Sequence, residues 1–274
     1  MAAYPKTLSG KTVADYVNTH TDLSDELYRE GKLVSDNYKN ILRSQTNAAA
    51  IPADVTVRYG VTVRRANLRN LPTGEGLFFY ASDRNFDALQ ETALDPGEAV
   101  AILHTSTNGY FYYVQAYNYR GWLSKFDVAE TDRSTWLRYA EPKNFLTVVA
   151  KDYTLKADGA QVLFQQGARL QLADKKASAY TVKVPVRTKE GKLQEEKVVL
   201  AANASLHEGY LPYTTNNIIR SAFKFYDSVY GWGGLQQSVD CSSFISNAYR
   251  TVGIFLPRNA DEQETSAGIH KKMG

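Results

Sequence analysis

Cysteine is almost absent from this chain: Cys241 stands alone among 274 residues. No internal disulfide can form, and such a chain is compatible with an oxidising or a reducing compartment. No apolar run is long enough to cross a membrane. The first residues, Met-Ala-Ala-Tyr-Pro-Lys, lack the basic-then-apolar pattern of a secretion signal. Lysines and arginines are scattered and form no basic stripe with interleaved aromatics, so nucleic acid is excluded as a partner. The formal net charge of +3 favours an acidic partner only weakly. Histidine is scarce too: His20, His104, His207 and His270 are the whole supply. No cofactor and no metal are expected.

What is present concentrates near the C-terminus. Cys241 lies in Gly231-Trp-Gly-Gly234, five residues, then Asp240-Cys-Ser-Ser243. Asp240 is suited to cap a helix, because its carboxylate can accept the first free N–H groups. Cys241, Phe244, Ile245, Ala248, Tyr249 and Val252 recur at helical spacing and predict one apolar face. Gly253 fits the position past the helix end, and Pro257 prevents continuation. Cys241 therefore falls in the first turn, where the helix dipole favours a thiolate. Read alone, it is equally a small buried apolar residue. Upstream, Pro212 and Thr214 or Thr215 open a second helix, with Ile218, Ile219, Ala222, Phe223 and Tyr226 as its buried stripe.

The order helix, Tyr230-x-Trp-Gly-Gly, Asp-Cys-Ser-Ser-Phe, helix, Gly-Ile-x-Leu-Pro-Arg-x-Ala-x-x-Gln263 resembles the NlpC family of papain-like cell-wall cysteine peptidases. The resemblance covers Tyr213 to Gln263 and implies a nucleophilic Cys241. It also implies hydrolysis of the γ-D-glutamyl-diamino acid bond of peptidoglycan stem peptides. By position it places Tyr230, Asp240 and Ser242 in the substrate site, with Tyr119 and Glu98 reaching it from a neighbouring domain. The bland readings are a pure helix cap for Asp240 and barrel surface for Tyr119.

The remainder agrees with a multidomain α+β chain. From Val61 to Val128, short alternating segments separated by Gly, Asn and Pro turns predict a small β-barrel. Its Gly121-Trp-Leu123 is similar to the first bacterial SH3-like domain of such peptidases. A second β-rich module spans Thr147 to Ala202, with Tyr180 to Val186 alternating in period two and Lys189 to Glu195 as a hairpin turn. The expected organisation is a helical N-terminal segment and linker (1–55) and a first SH3-like barrel (56–135). A second SH3-like module (136–205) and the N-terminal half of a papain-like domain (206–274) follow. Val13 to Val17 and Leu23 to Leu33 have helical spacing in the first segment, which is too short to bury its own core.

A thiol nucleophile needs an imidazole within hydrogen-bond reach. His20, His104 and His207 precede the cysteine segment, and His270 follows it with no sheet to aim it. The expectation is a chain cut midway through its catalytic domain. A non-catalytic wall-binding protein with a vestigial half-domain is the alternative, and an acyltransferase on the same scaffold is a third. The expected partners are peptidoglycan peptides or murein fragments. The expected place is the cell envelope or, alternatively, a cytoplasmic recycling route.

Overall fold

The computed structural model describes residues 3–19 and 23–266. β1 (Thr7–Ser9) leads into α1 (Gly10–Thr19), whose Val13 and Val17 are buried as their spacing predicts. Leu23 to Leu33 is not helical. It carries the hairpin β2 (Tyr28–Arg29) and β3 (Lys32–Leu33), because Glu30 and Gly31 both take positive φ, 51° and 80°, the twist a two-residue hairpin requires. Leu23 and Leu27 are buried all the same, in one cluster with Leu71, Leu77 and Leu89. Helix α2 (Asp36–Ser44), capped by Ser35, and β4 (Asp54–Thr56), which pairs back onto β1, complete this segment.

The next seven strands are β5 (Arg58–Thr62), β6 (Ala66–Arg69), β7 (Gln90–Leu94), β8 (Ala99–Thr105), β9 (Phe111–Gln115), β10 (Arg120–Ser124) and β11 (Val128–Thr131). They form one antiparallel sheet in the order β11-β5-β8-β9-β10-β6-β7. Alternation along β8 sorts its residues to two faces. Val100 and Ile102 join Leu68, Leu94, Val114, Leu123 and Val128 in an interior cluster. Ala99, Ala101 and Leu103 pack with Trp122, α1 and Trp136 of α3 (Arg133–Ala140). Both faces are thus covered, which is why β8 reads as a nearly continuous apolar run.

The second β module holds β12 (Phe145–Val148), β13 (Asp152–Ala157), β14 (Ala160–Gln165), β15 (Arg169–Lys176), β16 (Ala179–Arg187), β17 (Leu193–Ala201) and β18 (Leu206–Glu208). Five of them pair as β17-β16-β15-β12-β18, and β13-β14 is a separate hairpin. The long β16–β17 hairpin turns at the polar 188–192 segment.

Three helices end the described chain: α4 (Thr215–Ala222), capped by Thr214, α5 (Cys241–Arg250) and α6 (Ala260–Glu264). Among the described residues no strand follows α5. The expected buried stripe of α4 does not hold: Phe223 is 67% and Tyr226 81% exposed, and Ile219 is exposed too. The predicted apolar face of α5 holds in part: Ala248 and Val252 are buried, whereas Ile245 is exposed and Phe244 and Tyr249 are only half-buried. α5 also buries Ser242, Ser246, Asn247 and Arg250, beside Ala248. The reason is electrostatic. Arg250 reaches Glu98 at 2.5 Å and Asp95 at 3.4 Å, and Asn247 donates to Gln165 at 2.9 Å, so polar groups of both β modules receive the polar face. No helix of the described residues is long and apolar enough to cross a membrane.

Candidate active site

The approach to Cys241 is a loop pressed onto β7. Gly233 has φ 55°, and a Cβ there would stand 2.5 Å from Gln90 Cγ, so only glycine allows the approach. Gln90 Nε2 donates to Gly233 O at 2.8 Å, Arg65 to Gly234 O at 3.2 Å, and Trp232 Nε1 to Asp87 O at 3.0 Å. The loop then doubles back. Gly231 N donates to Val239 O at 2.9 Å, which sets Tyr230 alongside the start of α5. Tyr230 Oη lies 4.0 Å from Cys241 Sγ. Burial and its contact with the thiol push the Tyr230 hydroxyl above its ordinary pKa, so it stays a donor. Cys241 itself is exposed.

Asp240 caps α5 and more. One carboxylate oxygen accepts Ser243 N at 2.9 Å, while the Ser243 hydroxyl accepts Asp240 N at 2.9 Å, a reciprocal capping box. The other oxygen accepts Gly233 N at 3.1 Å and Arg258 Nη2 at 2.5 Å. Burial alone would raise its pKa. The Arg258 charge and the Ser243 bonds outweigh that and hold the carboxyl below its ordinary range. Arg258 also donates to Ser242 Oγ at 2.7 Å and to Glu91 O at 2.8 Å. The Glu91 side chain in turn accepts from Tyr119 Oη at 2.7 Å and Asn70 Nδ2 at 2.9 Å. Burial, then the Glu91 charge, pushes the Tyr119 phenol well up, so it remains protonated. Gln263 fastens α6 to α5 through Ser242 O at 3.1 Å and Ser246 Oγ at 2.9 Å.

The structure therefore brings Tyr230, Asp240 and Ser242 to Cys241. It links Tyr119 to them through Glu91 and Arg258. Glu98 is elsewhere, buried against Arg250 in the ion cluster that docks α5. Sequence reading missed Glu91, whose acid stands where Glu98 was expected. It also assigned no role to Arg258, although the Leu-Pro-Arg motif carries it. A signal existed: a lone arginine after Pro257 needs a counter-ion once Asp240 is buried.

Among the described residues no imidazole is hydrogen-bonded to Cys241. His104 Nε2 lies 3.0 Å from Asn47 O, with burial lowering its pKa, and His207 Nδ1 lies 3.4 Å from Gly209 O. His20 and His270 lie outside the described residues. The described residues gather no group of three or more His, Cys, Asp or Glu side chains that could hold a metal. A cavity of about 560 Å³ between α3 and the second sheet is lined by Arg138, Lys143, Gln171 and Lys183 among others and not by Cys241.

Comparison with known proteins adds four findings. Residues 77–124 match the SH3 domain (SH3b1 type) model, and residues 227–273 match the NlpC/P60 family model. No curated protein matches the chain. A solved NlpC/P60 endopeptidase from Photobacterium damselae subsp. piscicida is similar in fold, at TM-score 0.72 and 24% identity, over 93% of this chain and 56% of that one. An NlpC/P60 family protein from Bacillus cereus ATCC 10987 is similar at TM-score 0.53 and 16% identity, over 67% of this chain and 62% of that one. The chain thus spans little more than half the length of either.

Proposed function

We propose, for a chain that carries an SH3b-type domain followed by NlpC/P60-family sequence, the activity of a cysteine peptidase acting on peptidoglycan stem peptides. Its scissile bond joins γ-D-glutamate to a diamino acid. The observation that carries this reading is Cys241 at the first turn of α5, exposed, with the Tyr230 hydroxyl 4.0 Å from its sulfur.

In this mechanism the Cys241 thiolate attacks the γ-carbonyl carbon. The sulfur–carbon bond forms, and the carbonyl oxygen takes the electron pair. The N–H groups at the start of α5, left without helical acceptors, stabilise that oxyanion. Tyr230 donates to the developing charge. The carbon–nitrogen bond then breaks, the diamino acid leaves as a protonated amine, and water hydrolyses the thioester. Proton movement to the amine requires an acid–base group, and no described residue occupies that role. Asp240, with Tyr119 and Glu91 behind it, suits the free α-amino group of a short stem peptide. Such a substrate occurs in the envelope and in cytoplasmic murein recycling alike.

The test is intact-mass analysis of the chain mixed with L-Ala-γ-D-Glu-meso-diaminopimelate. With free imidazole added to the buffer as the acid–base group, a dipeptidyl thioester on Cys241 and release of diaminopimelate are expected, both lost in Cys241→Ala. A second reading, favoured because no imidazole among the described residues meets Cys241, is a wall-peptide-binding protein. Tight peptide binding with no adduct and no released amine would establish that reading instead.

A further inference from the structure

Two chemistries flank the thiol. One is the buried polar group of Asp240, Arg258, Tyr119 and Glu91. The other is an exposed aromatic row. The Phe86 ring sits 6.0 Å from Tyr230 and 5.7 Å from Trp232, centroid to centroid, and all three are open to solvent. Phe86 comes from the SH3b-type domain, on the loop between β6 and β7, whereas Tyr230 and Trp232 come from the approach to Cys241. The two parts are pinned together by Trp232 Nε1 on Asp87 O and by Gln236 Nε2 on Asn85 Oδ1 at 2.9 Å. The row therefore has a fixed geometry and starts at the residue nearest the sulfur.

Some rings elsewhere in the molecule are covered by the chain's own cations. Lys125 lies 5.1 Å from the Tyr110 centroid and 5.4 Å from that of Phe126, and Arg187 also covers Phe126. Among the described residues no lysine or arginine lies over Phe86, Tyr230 or Trp232. A carboxylate stands beside the row instead. Asp83 Oδ1 accepts the backbone N–H groups of Asn85 at 2.8 Å and Phe86 at 3.2 Å. Those bonds, Asn85 first, hold the exposed Asp83 carboxyl below its ordinary range, so it is charged at neutral pH. Exposed rings, tilted and edge-on to one another, with no lysine or arginine over them and the Asp83 carboxylate nearby, suit a ligand with an apolar stem and a positive tip.

We propose that the Tyr230–Phe86–Trp232 row receives the side chain of the diamino acid on the leaving side of the scissile bond. Its methylenes lie along the rings, and its distal ammonium meets the Phe86 face and Asp83. Phe86 is then a specificity-determining residue supplied to the cleft by the SH3b-type domain. This inference rests on the function proposed above.

Trp232 makes the row directly readable. Trp122 and Trp136 are 0% exposed and Trp232 is 37% exposed, so acrylamide quenching of the chain reports Trp232. The experiment uses the full chain carrying Cys241→Ala, titrated with L-Ala-γ-D-Glu-L-Lys and with its norleucine counterpart, which keeps the stem and lacks the ammonium. The lysine peptide is expected to shield Trp232 and to bind about five-fold more tightly than the norleucine peptide. Phe86→Leu should bring that ratio close to one while leaving norleucine binding in place, and Phe86→Tyr should preserve it. Unquenched Trp122 and Trp136 verify that each variant is folded. Equal affinities in the parent, or a ratio untouched by Phe86→Leu, would overturn the inference and leave the proposed function standing. Failure of both peptides to bind would overturn both.

Discussion

Removing Arg258 is the sharpest test of how the site is held. Its guanidinium is buried and makes four bonds at once, to Asp240 at 2.5 and 3.4 Å, Ser242 at 2.7 Å and Glu91 O at 2.8 Å. Arg258→Ala leaves the Asp240 carboxylate buried and without its cation, which typically costs about 3–5 kcal/mol. Asp240 caps α5, so the loss falls first on that helix and on the position of Cys241. Local opening of α5 should rise about 10²- to 10⁴-fold, read by amide hydrogen exchange of the α5 peptides. Acid shows the same coupling with a definite sign. The folded Asp240 carboxyl is held below its ordinary value, so its contribution is whole above a pH of about 4 and falls away as pH drops through the folded pKa. In Arg258→Ala only burial and the Ser243 bonds remain, and the carboxyl rises. The gap between parent and variant should therefore be widest at neutral pH and narrow only as pH falls through the lowered folded pKa of Asp240 in the parent. An exchange increase below about ten-fold, or a gap that does not change with pH, would refute a buried Arg258–Asp240 pair as the anchor of the site.

Two further outcomes follow from the docking of the approach loop and α5. Gly233→Ala places a side chain at positive φ and 2.5 Å from Gln90 Cγ, so it should destabilise by about 1–3 kcal/mol in urea unfolding; a neutral result would mean the loop is not pressed on β7. Glu98→Ala should cost about 1.5–3 kcal/mol by leaving the buried Arg250 with Asp95 as its one carboxylate, and leave the ratio of lysine to norleucine peptide binding unchanged. Lost peptide binding at unchanged stability would return Glu98 to the substrate-binding set.

Local chemistry was legible and long-range pairing was not. The Asp240 cap, the helix starting at Cys241 and the helix entered from Thr214 follow from side chains within three residues of each helix start, and all three are present. The period-two strands of both β modules are present for the same reason. Leu23 to Leu33 misled because its leucine spacing suits a helix, whereas the Glu30-Gly31 pair permits a tight hairpin that buries the same leucines. Glu91 and Glu98 could not be ranked from sequence. Each is an acid beside the same sheet, and only partners far along the chain separate them: Glu91 meets Tyr119 and Arg258, and Glu98 meets Arg250.

The faces of α4 and α5 carry the general point. Spacing correctly identifies both helices as amphipathic but does not say which face meets the rest of the chain. The default assumption, apolar side inward, holds when the receiving surface is apolar. Here that surface presents Asp95, Glu98 and Gln165, and α5 answers with Arg250 and Asn247. A buried arginine between two carboxylates is costly to desolvate and contributes little net stability, yet it tolerates only one register. Shifting α5 by a single residue would turn Arg250 away from both acids and strand Arg250 and Glu98, while Asp95 keeps Arg65. The interface thus fixes the rotation of the helix more firmly than apolar packing would. With the rotation, it fixes the direction in which Cys241 faces Tyr230.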